Sequence, residues 1–199
     1  MGADEFNSRY NNGDTPWDHG MVDHNLTEMI AQYNILPCKM LEIGCGTGEN
    51  ALWLAGLGYD VVACDFAPAA IEKARAKTAK TVNPVCFMVA DFMHQSIPGA
   101  PYGFIFDRGC LHCISDEASK SSFVEKAAGL LAADGWWLTL AGNADEGKRE
   151  VGPPQLSAVE LVRITEPAFE IISLRSGHFG SNQEDPPRAW ICLMRKRRK

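Results

Sequence analysis

Several features that would place this chain in other classes of protein are missing from its sequence. No apolar run approaches the roughly 20 residues that a membrane-spanning helix needs. The first residues, Met1-Gly2-Ala3-Asp4-Glu5, are acidic where a signal peptide would be basic and then apolar. The 199 residues are enough for one domain with a substantial core and too few for two of ordinary size. We therefore expect a single cytoplasmic domain with no membrane association.

Positive charge is scarce outside the last five residues. The net charge is −6, but Arg195–Lys199 are all basic, and without them 14 Lys and Arg stand against 25 Asp and Glu, a net charge of −11. Such a body repels a phosphate backbone, so no nucleic-acid partner is expected, and we interpret the basic tail as a solvated terminus. Heptad repeats are missing as well, so we expect a monomer.

The cysteines do not pair in a way that indicates disulfides. There are seven, an odd number, and the favoured interpretation is buried free thiols in a reducing compartment. Cys110-x-His112-Cys113 raises the alternative of a metal site. Three ligand-type residues within four positions rarely close a tetrahedral site without a distant fourth, and no second cysteine pair has a suitable spacing. We therefore predict no metal.

The most informative stretch is a glycine-rich turn between an apolar run and an Ala/Leu-rich segment. Met40–Ile43 predicts a strand, three glycines follow at alternate positions, and residues 51–57 have helical spacing. A dinucleotide fingerprint would need glycine where Glu49 stands, and a P-loop would need Gly-Lys-Ser/Thr. A carboxylate at a helix N-terminus repels a pyrophosphate but is compatible with a cationic ligand. A plain tight turn is the alternative.

Strands alternate with helices along most of the chain, which predicts a parallel sheet built from βαβ units. The last two strands, 169–174 and 189–194, are joined by a polar loop that is too short for a crossover helix and contains His178, Phe179 and Arg188. The fold class expected is α/β, with a Rossmann-like, doubly wound, mostly parallel seven-stranded sheet and a C-terminal antiparallel hairpin. Ser157-x-x-Glu160 predicts a capping box that begins a helix.

Acidic and aromatic side chains follow the predicted strands at the edge of the sheet where ligands bind. Asp65 lies about 20 residues after the glycine turn, where it can accept both hydroxyls of a ribose or cap the next helix. Asp91 ends the next strand, beside Phe92, which can flank an adenine. In the polar segment 1–20, Trp17 either plugs the edge of the core or covers a ligand.

The pattern Glu42-x-Gly44-x-Gly46-x-Gly48 resembles motif I of the class I S-adenosylmethionine-dependent methyltransferases. Three further stretches resemble the thiopurine, halide/thiol and tellurite-resistance branch of these enzymes. They are Thr15-Pro16-Trp17-Asp18-x-Gly20, Asp107-Arg108-Gly109-x-Leu111-x-x-Ile114, and Gly152-Pro153-Pro154 followed by a helix. The resemblance extends from about residue 10 to the end. It implies an N-terminal lid segment and helix (1–37), a cofactor-binding half (38–141), an acceptor-side half (142–194) and a tail (195–199).

The resemblance implies S-adenosylmethionine as the cofactor and a set of residues that hold it. These residues are Trp17, Glu42, Gly44, Cys45, Gly46, Gly48, Asp65, Phe66, Asp91, Phe92, Asp107 and Arg108. Glu42 and the glycine loop would hold the methionine part, Asp65 the ribose, and Asp91 with Phe92 the adenine. Cys110, His112 and Cys113 stand where this branch is expected to have small and apolar residues. The resemblance therefore does not determine the identity of the methyl acceptor.

The expected reaction is methyl transfer to a small molecule, with a thiol or another soft, anionic nucleophile as acceptor. By the resemblance, Arg108 and Arg188 would orient it, since an arginine favours the anionic form and cannot take the proton. A hydroxyl or amine acceptor would need a base, for which His112 and His178 are candidates. Two other classes stay open: a nicotinamide-dependent oxidoreductase, against which Glu49 argues, and a catalytically silent cofactor-binding protein.

Overall fold

The computed structural model describes residues 2–78, 83–147 and 154–198 as helices, strands and connecting turns. Short 3-10 turns lie at Leu111–Cys113 and Ala144–Glu146. The helices are α1 Ala3–Asn12, α2 His24–Tyr33, α3 Glu49–Gly56, α4 Pro68–Thr78, α5 Glu117–Leu130 and α6 Ala158–Thr165. The strands are β1 Lys39–Ile43, β2 Asp60–Asp65, β3 Cys86–Val89, β4 Tyr102–Arg108, β5 Leu131–Gly142, β6 Phe169–His178 and β7 Arg188–Lys196.

The seven strands form one sheet in the order β3-β2-β1-β4-β5-β7-β6. Strands β1 to β5 pair in parallel, whereas β7 runs antiparallel to both β5 and β6. This arrangement confirms the predicted mostly parallel, seven-stranded sheet with a terminal antiparallel hairpin. The chain leaves β1 in one direction toward β2 and β3 and returns to its other side as β4, so the order reverses between β1 and β4. Ligands of open α/β sheets bind at such a switch point.

Both faces of the sheet are buried, which explains why its central strands are apolar throughout. In β1, Leu41 and Ile43 belong to the core on one face, and Met40 belongs to the core on the other. The same alternation separates Ile105 of β4 from Phe104. Successive side chains of a strand point to opposite faces, so a strand covered by helices on both sides needs apolar residues at every position.

The N-terminal segment differs from the expected polar loop, because residues 3–12 form helix α1. Its apolar surface is formed by Phe6 and Tyr10, one helical turn apart, and the Phe6 ring centroid lies 5.3 Å from that of Phe66. The Asn7 side chain accepts a hydrogen bond from the backbone N–H of Ala69, at the beginning of α4 (2.9 Å). Two apolar residues are too few to establish a helical period, so tertiary contacts stabilise this helix.

Other boundaries confirm or shift the predictions. The capping box at Ser157 and Glu160 is present at the start of α6. Helix α2 ends at Tyr33, and the following residue, Asn34, adopts a left-handed conformation with φ 49°. His178 was expected in a loop but is the last residue of β6, because the hairpin pairing continues to that position.

Two further sequence predictions concern the third branch motif and the burial of the cysteines. Gly152 and Pro153 of the motif lie outside the described residues. All seven cysteines are free thiols: Cys45, Cys64 and Cys192 are buried, whereas Cys86 and Cys113 are exposed, against the expectation of burial. Within the described ranges, no helix combines the length and the apolar character that crossing a membrane requires.

Candidate active site at the glycine loop

The loop between β1 and α3 requires glycine for two physical reasons. Gly44, Gly46 and Gly48 have φ values of 66°, 53° and 85°, a region that residues with a side chain rarely adopt. Space is also missing: a Cβ at Gly44 would lie 2.1 Å from Cys110 Sγ, and one at Gly46 would lie 2.8 Å from the Tyr10 hydroxyl oxygen. The loop therefore packs directly against the segment after β4 on one side and against α1 on the other.

Glu42 places a buried carboxyl group just before this loop. The side chain is 1% exposed, and one of its oxygens accepts a hydrogen bond from the Asn50 amide at 3.1 Å. The other oxygen, Oε2, has no partner among the described residues. Burial raises the pKa of Glu42 to about 8. A buried acceptor without a donor is unfavourable by about 1–3 kcal/mol, so this oxygen is suited to a ligand that donates, such as an ammonium group.

Asp65 ends β2 beside the loop and contacts backbone N–H groups with both oxygens. Oδ2 accepts a hydrogen bond from Gly46 and Oδ1 accepts one from Ala67, each at 2.9 Å. Ala67 lies one residue before α4, so its bond to Asp65 agrees with the alternative that Asp65 caps this helix. The bond from Gly46 joins the end of β2 to the glycine loop. Burial raises the pKa of Asp65. Phe66 lies next to it and packs on Phe6 of α1.

Arg108, the last residue of β4, joins three segments that are distant in the sequence. Its Nε donates to Asp23 Oδ2 at 2.7 Å, and its two terminal nitrogens donate to the backbone oxygens of Trp17 (3.1 Å) and Gly180 (2.5 Å). The guanidinium carbon lies 5.3 Å from the centroid of the Phe179 ring. Burial by itself would raise the pKa of Asp23, but the Arg108 charge and the hydrogen bonds hold it below its usual value.

These groups surround a narrow, open cleft with a volume of about 60 Å³. It is lined by residues of α1, the segment after α1, the glycine loop, the start of α3 and the end of β4. They are Tyr10, Trp17, Asp18, His19, Met21, Glu42, Gly44, Cys45, Gly46, Thr47, Gly48, Glu49, Asn50 and Arg108.

The cleft contains about half of the residues that the sequence singled out. Trp17, Glu42, the loop from Gly44 to Gly48, and Arg108 all line it. Trp17 is half-buried and donates from its ring nitrogen to the Tyr10 hydroxyl at 3.0 Å, so it both plugs the core edge and faces the cleft. Other predicted site residues are not among the described residues that line it. They are Asp65, Phe66, Asp91, Phe92, Asp107, His112 and Arg188.

Asp107 supports the loop after β4 through protein contacts. It is fully buried and accepts hydrogen bonds from the backbone N–H groups of Cys110 and Leu111, both at 3.3 Å, and from the Trp137 ring nitrogen at 2.9 Å. Burial raises the pKa of Asp107 to about 6. The structure therefore gives this carboxyl group a structural partner at each oxygen and no direct access to the cleft.

His112 and Cys110 are held by protein groups. His112 is buried, its Nδ1 accepts a hydrogen bond from the Gly142 N–H at 2.6 Å, and burial lowers its pKa to about 3. Because Nδ1 is an acceptor here, the proton of the neutral ring resides on Nε2, so neither nitrogen offers a free lone pair. Cys110 Sγ donates to the backbone oxygen of Ile43 at 3.1 Å. In the described part of the chain, no group of three ligand-type residues is placed to hold a metal.

The remaining predicted residues lie further along the sheet. Phe92 is 6% exposed and packs against Phe123, with 4.7 Å between the ring centroids. Asp91 accepts from the backbone N–H of Met93 at 2.8 Å and pairs with His94. Arg188 begins β7, where one terminal nitrogen donates to Ser176 Oγ at 2.8 Å.

Sequence reasoning missed several residues of the cleft, which come from its N-terminal side, from the glycine loop at Thr47 and from the start of α3. Tyr10, Asp18, His19 and Met21 come from the first 21 residues, which have no periodic pattern. The available signal was the segment Thr15-Pro16-Trp17-Asp18-x-Gly20, whose variable position is His19. Asp18 accepts the hydroxyl of Thr47 at 2.8 Å, so this segment is bound to the glycine loop.

Known proteins resemble this chain in sequence. A family model described as a methyltransferase domain matches residues 40–135, from β1 into the first residues of β5. The relative named Probable thiol methyltransferase 2, from Arabidopsis thaliana, is 28% identical over 166 residues, which cover 81% of this chain and 72% of the relative. Five curated relatives are matched over 29% to 72% of their lengths, and the chain spans less than two thirds of four of them.

Two solved structures share the fold over nearly the whole chain. A protein solved for the conversion of a disulfide bond into a thioacetal group during echinomycin biosynthesis superposes with a TM-score of 0.82 and 21% identity, covering 98% of this chain and 91% of that one. The N-methyltransferase NodS from Bradyrhizobium japonicum WM9, in complex with S-adenosyl-L-homocysteine, superposes with a TM-score of 0.74 and 18% identity, covering 98% of each chain.

Residues 40–135 thus match a methyltransferase domain, and the seven-stranded sheet with its glycine loop shares its fold with the N-methyltransferase NodS. These matches support the prediction of a methyltransferase that uses S-adenosylmethionine as its cofactor.

Proposed function

We propose that the chain transfers a methyl group from S-adenosylmethionine to a small-molecule acceptor whose nucleophile is a thiol or another soft, anionic atom. The observation that supports this most directly is the position of Arg108, which lines the same cleft as Glu42 and the glycine loop. A guanidinium lowers the pKa of a nearby thiol and stabilises its anion, but it cannot accept a proton. The site therefore suits an acceptor that reacts as an anion.

The residues present fit the cofactor at its methionine end. Its ammonium group requires acceptors, and Glu42 Oε2 is a buried acceptor without a partner in the described residues. The glycines allow close approach of a ligand to the backbone. We assign Asp65 to the ribose, with Phe66, Asp91 and Phe92 near the adenine, and Trp17 as the cover of the methionine end. Asp107 acts through the loop it supports.

Catalysis in such a site depends mainly on alignment and exclusion of water. S-adenosylmethionine supplies an activated methyl group on a sulfonium, so an anionic acceptor needs no further activation. Holding two reactants in line is worth on the order of 7–11 kcal/mol. Trp17 and Tyr10 enclose the cleft from one side, and Met21, which is 54% exposed, gives its mouth an apolar surface. These features favour a small, partly apolar acceptor.

The same features support a branch of the family as part of this proposal. The motifs around Trp17 and Arg108 resemble those of the thiopurine and thiol/halide branch, and the Arabidopsis relative carries the name of a thiol methyltransferase. An acceptor that needs a base at His112 is less favoured, since the Nδ1 of that residue is bonded to Gly142. Arg188 stays a candidate for the far side of the acceptor.

The test is release of S-adenosylhomocysteine from S-adenosylmethionine with a panel of acceptors: an aromatic thiol, an alkyl thiol, sulfide, iodide, tellurite and a catechol. We expect turnover confined to the soft acceptors. Turnover on the catechol alone would instead support an oxygen acceptor and a histidine base. Tight cofactor binding with no turnover on any acceptor would support a silent binding protein.

A further inference from the structure

His19 combines two properties that no other histidine of the described chain shares. It lines the cleft beside Arg108 and Glu42, and its Nδ1 is buried without a hydrogen-bond partner among the described residues. His112, by comparison, has its Nδ1 bonded to Gly142 and does not line the cleft. An unpartnered buried acceptor is unfavourable by about 1–3 kcal/mol, and a donor brought by a ligand removes this penalty.

The surroundings of His19 keep its ring neutral and fix its orientation. Burial lowers its pKa, and the charge of Arg108 lowers it further, whereas Asp23, Asp18 and a hydrogen bond with the backbone of Gly180 raise it. Nδ1 has no hydrogen-bond partner among the described residues, so in the neutral tautomer with its proton on Nε2 a lone pair on Nδ1 is available. Four more titratable groups line the same cleft: Glu42 before the glycine loop, Cys45 within it, Glu49 of α3 and Tyr10 of α1.

We propose that His19 is the proton acceptor for thiol substrates, an inference that rests on the proposed methyl transfer. Nδ1 takes the S–H proton, which leaves a thiolate beside Arg108 and an imidazolium at His19. The thiolate sulfur then forms a bond to the methyl carbon as the bond from that carbon to the cofactor sulfur breaks. The products are a methyl thioether and S-adenosylhomocysteine, and the imidazolium returns its proton to solvent.

This role predicts which acceptors depend on His19. An alkyl thiol has a pKa of about 8.5 and is mostly protonated at pH 7, so it needs the base. An aryl thiol whose pKa lies below the assay pH is already an anion and does not. The pH dependence differs as well. With His19, the kcat/KM for an alkyl thiol is flat between pH 7 and 8, because both the neutral ring and the neutral thiol predominate there.

The experiment compares kcat/KM for one alkyl and one aryl thiol in the wild type and in His19→Gln. Glutamine can keep the Gly180 contact but places no base at Nδ1. We expect a loss of about 100-fold with the alkyl thiol, the lower end of general-base effects, and less than about threefold with the aryl thiol. In the variant, kcat/KM for the alkyl thiol should rise about tenfold per pH unit, following the thiolate fraction. S-adenosylhomocysteine affinity should stay unchanged.

Two controls separate the possible failures. His24→Gln alters an exposed histidine at the start of α2 and should leave both acceptors unaffected. His19→Asn, which retains a polar atom near the Nδ1 position but no base, should reproduce the loss on the alkyl thiol alone. Equal losses on both thiols, or an unchanged pH profile, would overturn the role of His19 while leaving methyl transfer intact. A wild type that turns over neither thiol would overturn the proposed thiol activity itself.

Discussion

The two sides of the cleft are built by different kinds of constraint. On the sheet side, the loop of Gly44, Gly46 and Gly48 is determined by backbone conformation and by close packing within a few residues of β1. On the opposite side, the segment around Trp17 and the loop at Gly180 are held by side-chain contacts that meet at Arg108. The difference shows that the glycine-loop side of the cleft is encoded locally, whereas the opposite side depends on contacts between distant segments.

The largest effect is expected from Gly44→Ala, which tests the local constraint. The new Cβ would lie 2.1 Å from Cys110 Sγ at a φ of 66°. Backbone strain of about 1–3 kcal/mol adds to overpacking of about 1–3 kcal/mol, so we expect a loss of about 4 kcal/mol in the free energy of unfolding. Urea denaturation measures it, with S-adenosylhomocysteine affinity as a second readout.

Gly129→Ala is the matched control for that substitution. Gly129 lies in α5 near its end, and a Cβ there meets no atom within 4 Å. We expect a gain of about 0.5–1 kcal/mol because alanine favours a helix more than glycine does. Adding Cys110→Ala to Gly44→Ala should recover the part of the loss that is due to the clash. No recovery would mean that backbone strain alone is responsible.

Arg108→Ala tests the long-range side and should have the next largest effect. It leaves Asp23, which is 1% exposed, as a buried carboxylate without its ion-pair partner. Removing one member of a buried pair destabilises by about 3–5 kcal/mol, and since Arg108 is 15% exposed we expect about 2–4 kcal/mol. Turnover should fall much more than affinity for S-adenosylhomocysteine if, as we propose, Arg108 faces the acceptor. Equal losses in both would contradict that assignment.

The pH dependence of this variant follows from Asp23. In the wild type the pKa of Asp23 is lowered below 3.8, so the pair contributes stability above that pH and loses it as the pH falls through the lowered value. The stability difference between wild type and Arg108→Ala should therefore be full at pH 7 and shrink below about pH 4. Asp23→Asn added to Arg108→Ala should restore part of the stability. An equal difference at pH 3 and pH 7 would exclude the ion pair as its cause.

The same contrast explains how much of the fold and site could be predicted from the sequence. The sheet, the glycine loop and the capping box of α6 were predicted because each depends on residues a few positions apart. Helix α1 was missed because only Phe6 and Tyr10 contact the core. The bond between Asp23 and Arg108 spans 85 residues, and no local spacing indicates such a contact. His19 was missed for the same reason.

Glu42→Gln tests the buried carboxyl group on the glycine-loop side of the cleft. Burial raises the pKa of Glu42 from 4.5 to about 8 in the folded protein. A carboxyl group with a raised pKa stabilises the fold fully below pH 4.5, and this contribution is lost as the pH rises toward 8. The variant should therefore be more stable than the wild type by about 2–3 kcal/mol at pH 9, with no such difference at pH 4.

Binding of S-adenosylhomocysteine should favour the wild type over Glu42→Gln. S-adenosylhomocysteine carries an ammonium group that can pair with the carboxylate, so it should stabilise the wild type at pH 8 more than it stabilises Glu42→Gln. Melting temperatures across pH 4–9, with and without S-adenosylhomocysteine, measure both effects. Glu117→Gln removes an exposed carboxylate and is the control. A ligand effect of equal size in wild type and Glu42→Gln would contradict the assignment of Glu42 to the ammonium group.

The smallest effect is expected from Asn7→Ala, which removes a hydrogen bond between α1 and α4. Asn7 accepts a hydrogen bond from the Ala69 N–H at the start of α4, so a residue 62 positions away caps that helix. Asn7→Ala should lower the free energy of unfolding by about 1 kcal/mol, the usual effect of losing a cap. Asn12→Ala, at the exposed end of α1, is the control and should change it by less than about 0.5 kcal/mol. If α1 also helps to close the cleft, Asn7→Ala should weaken S-adenosylhomocysteine binding severalfold while Asn12→Ala does not, and an unchanged affinity would restrict α1 to a structural role.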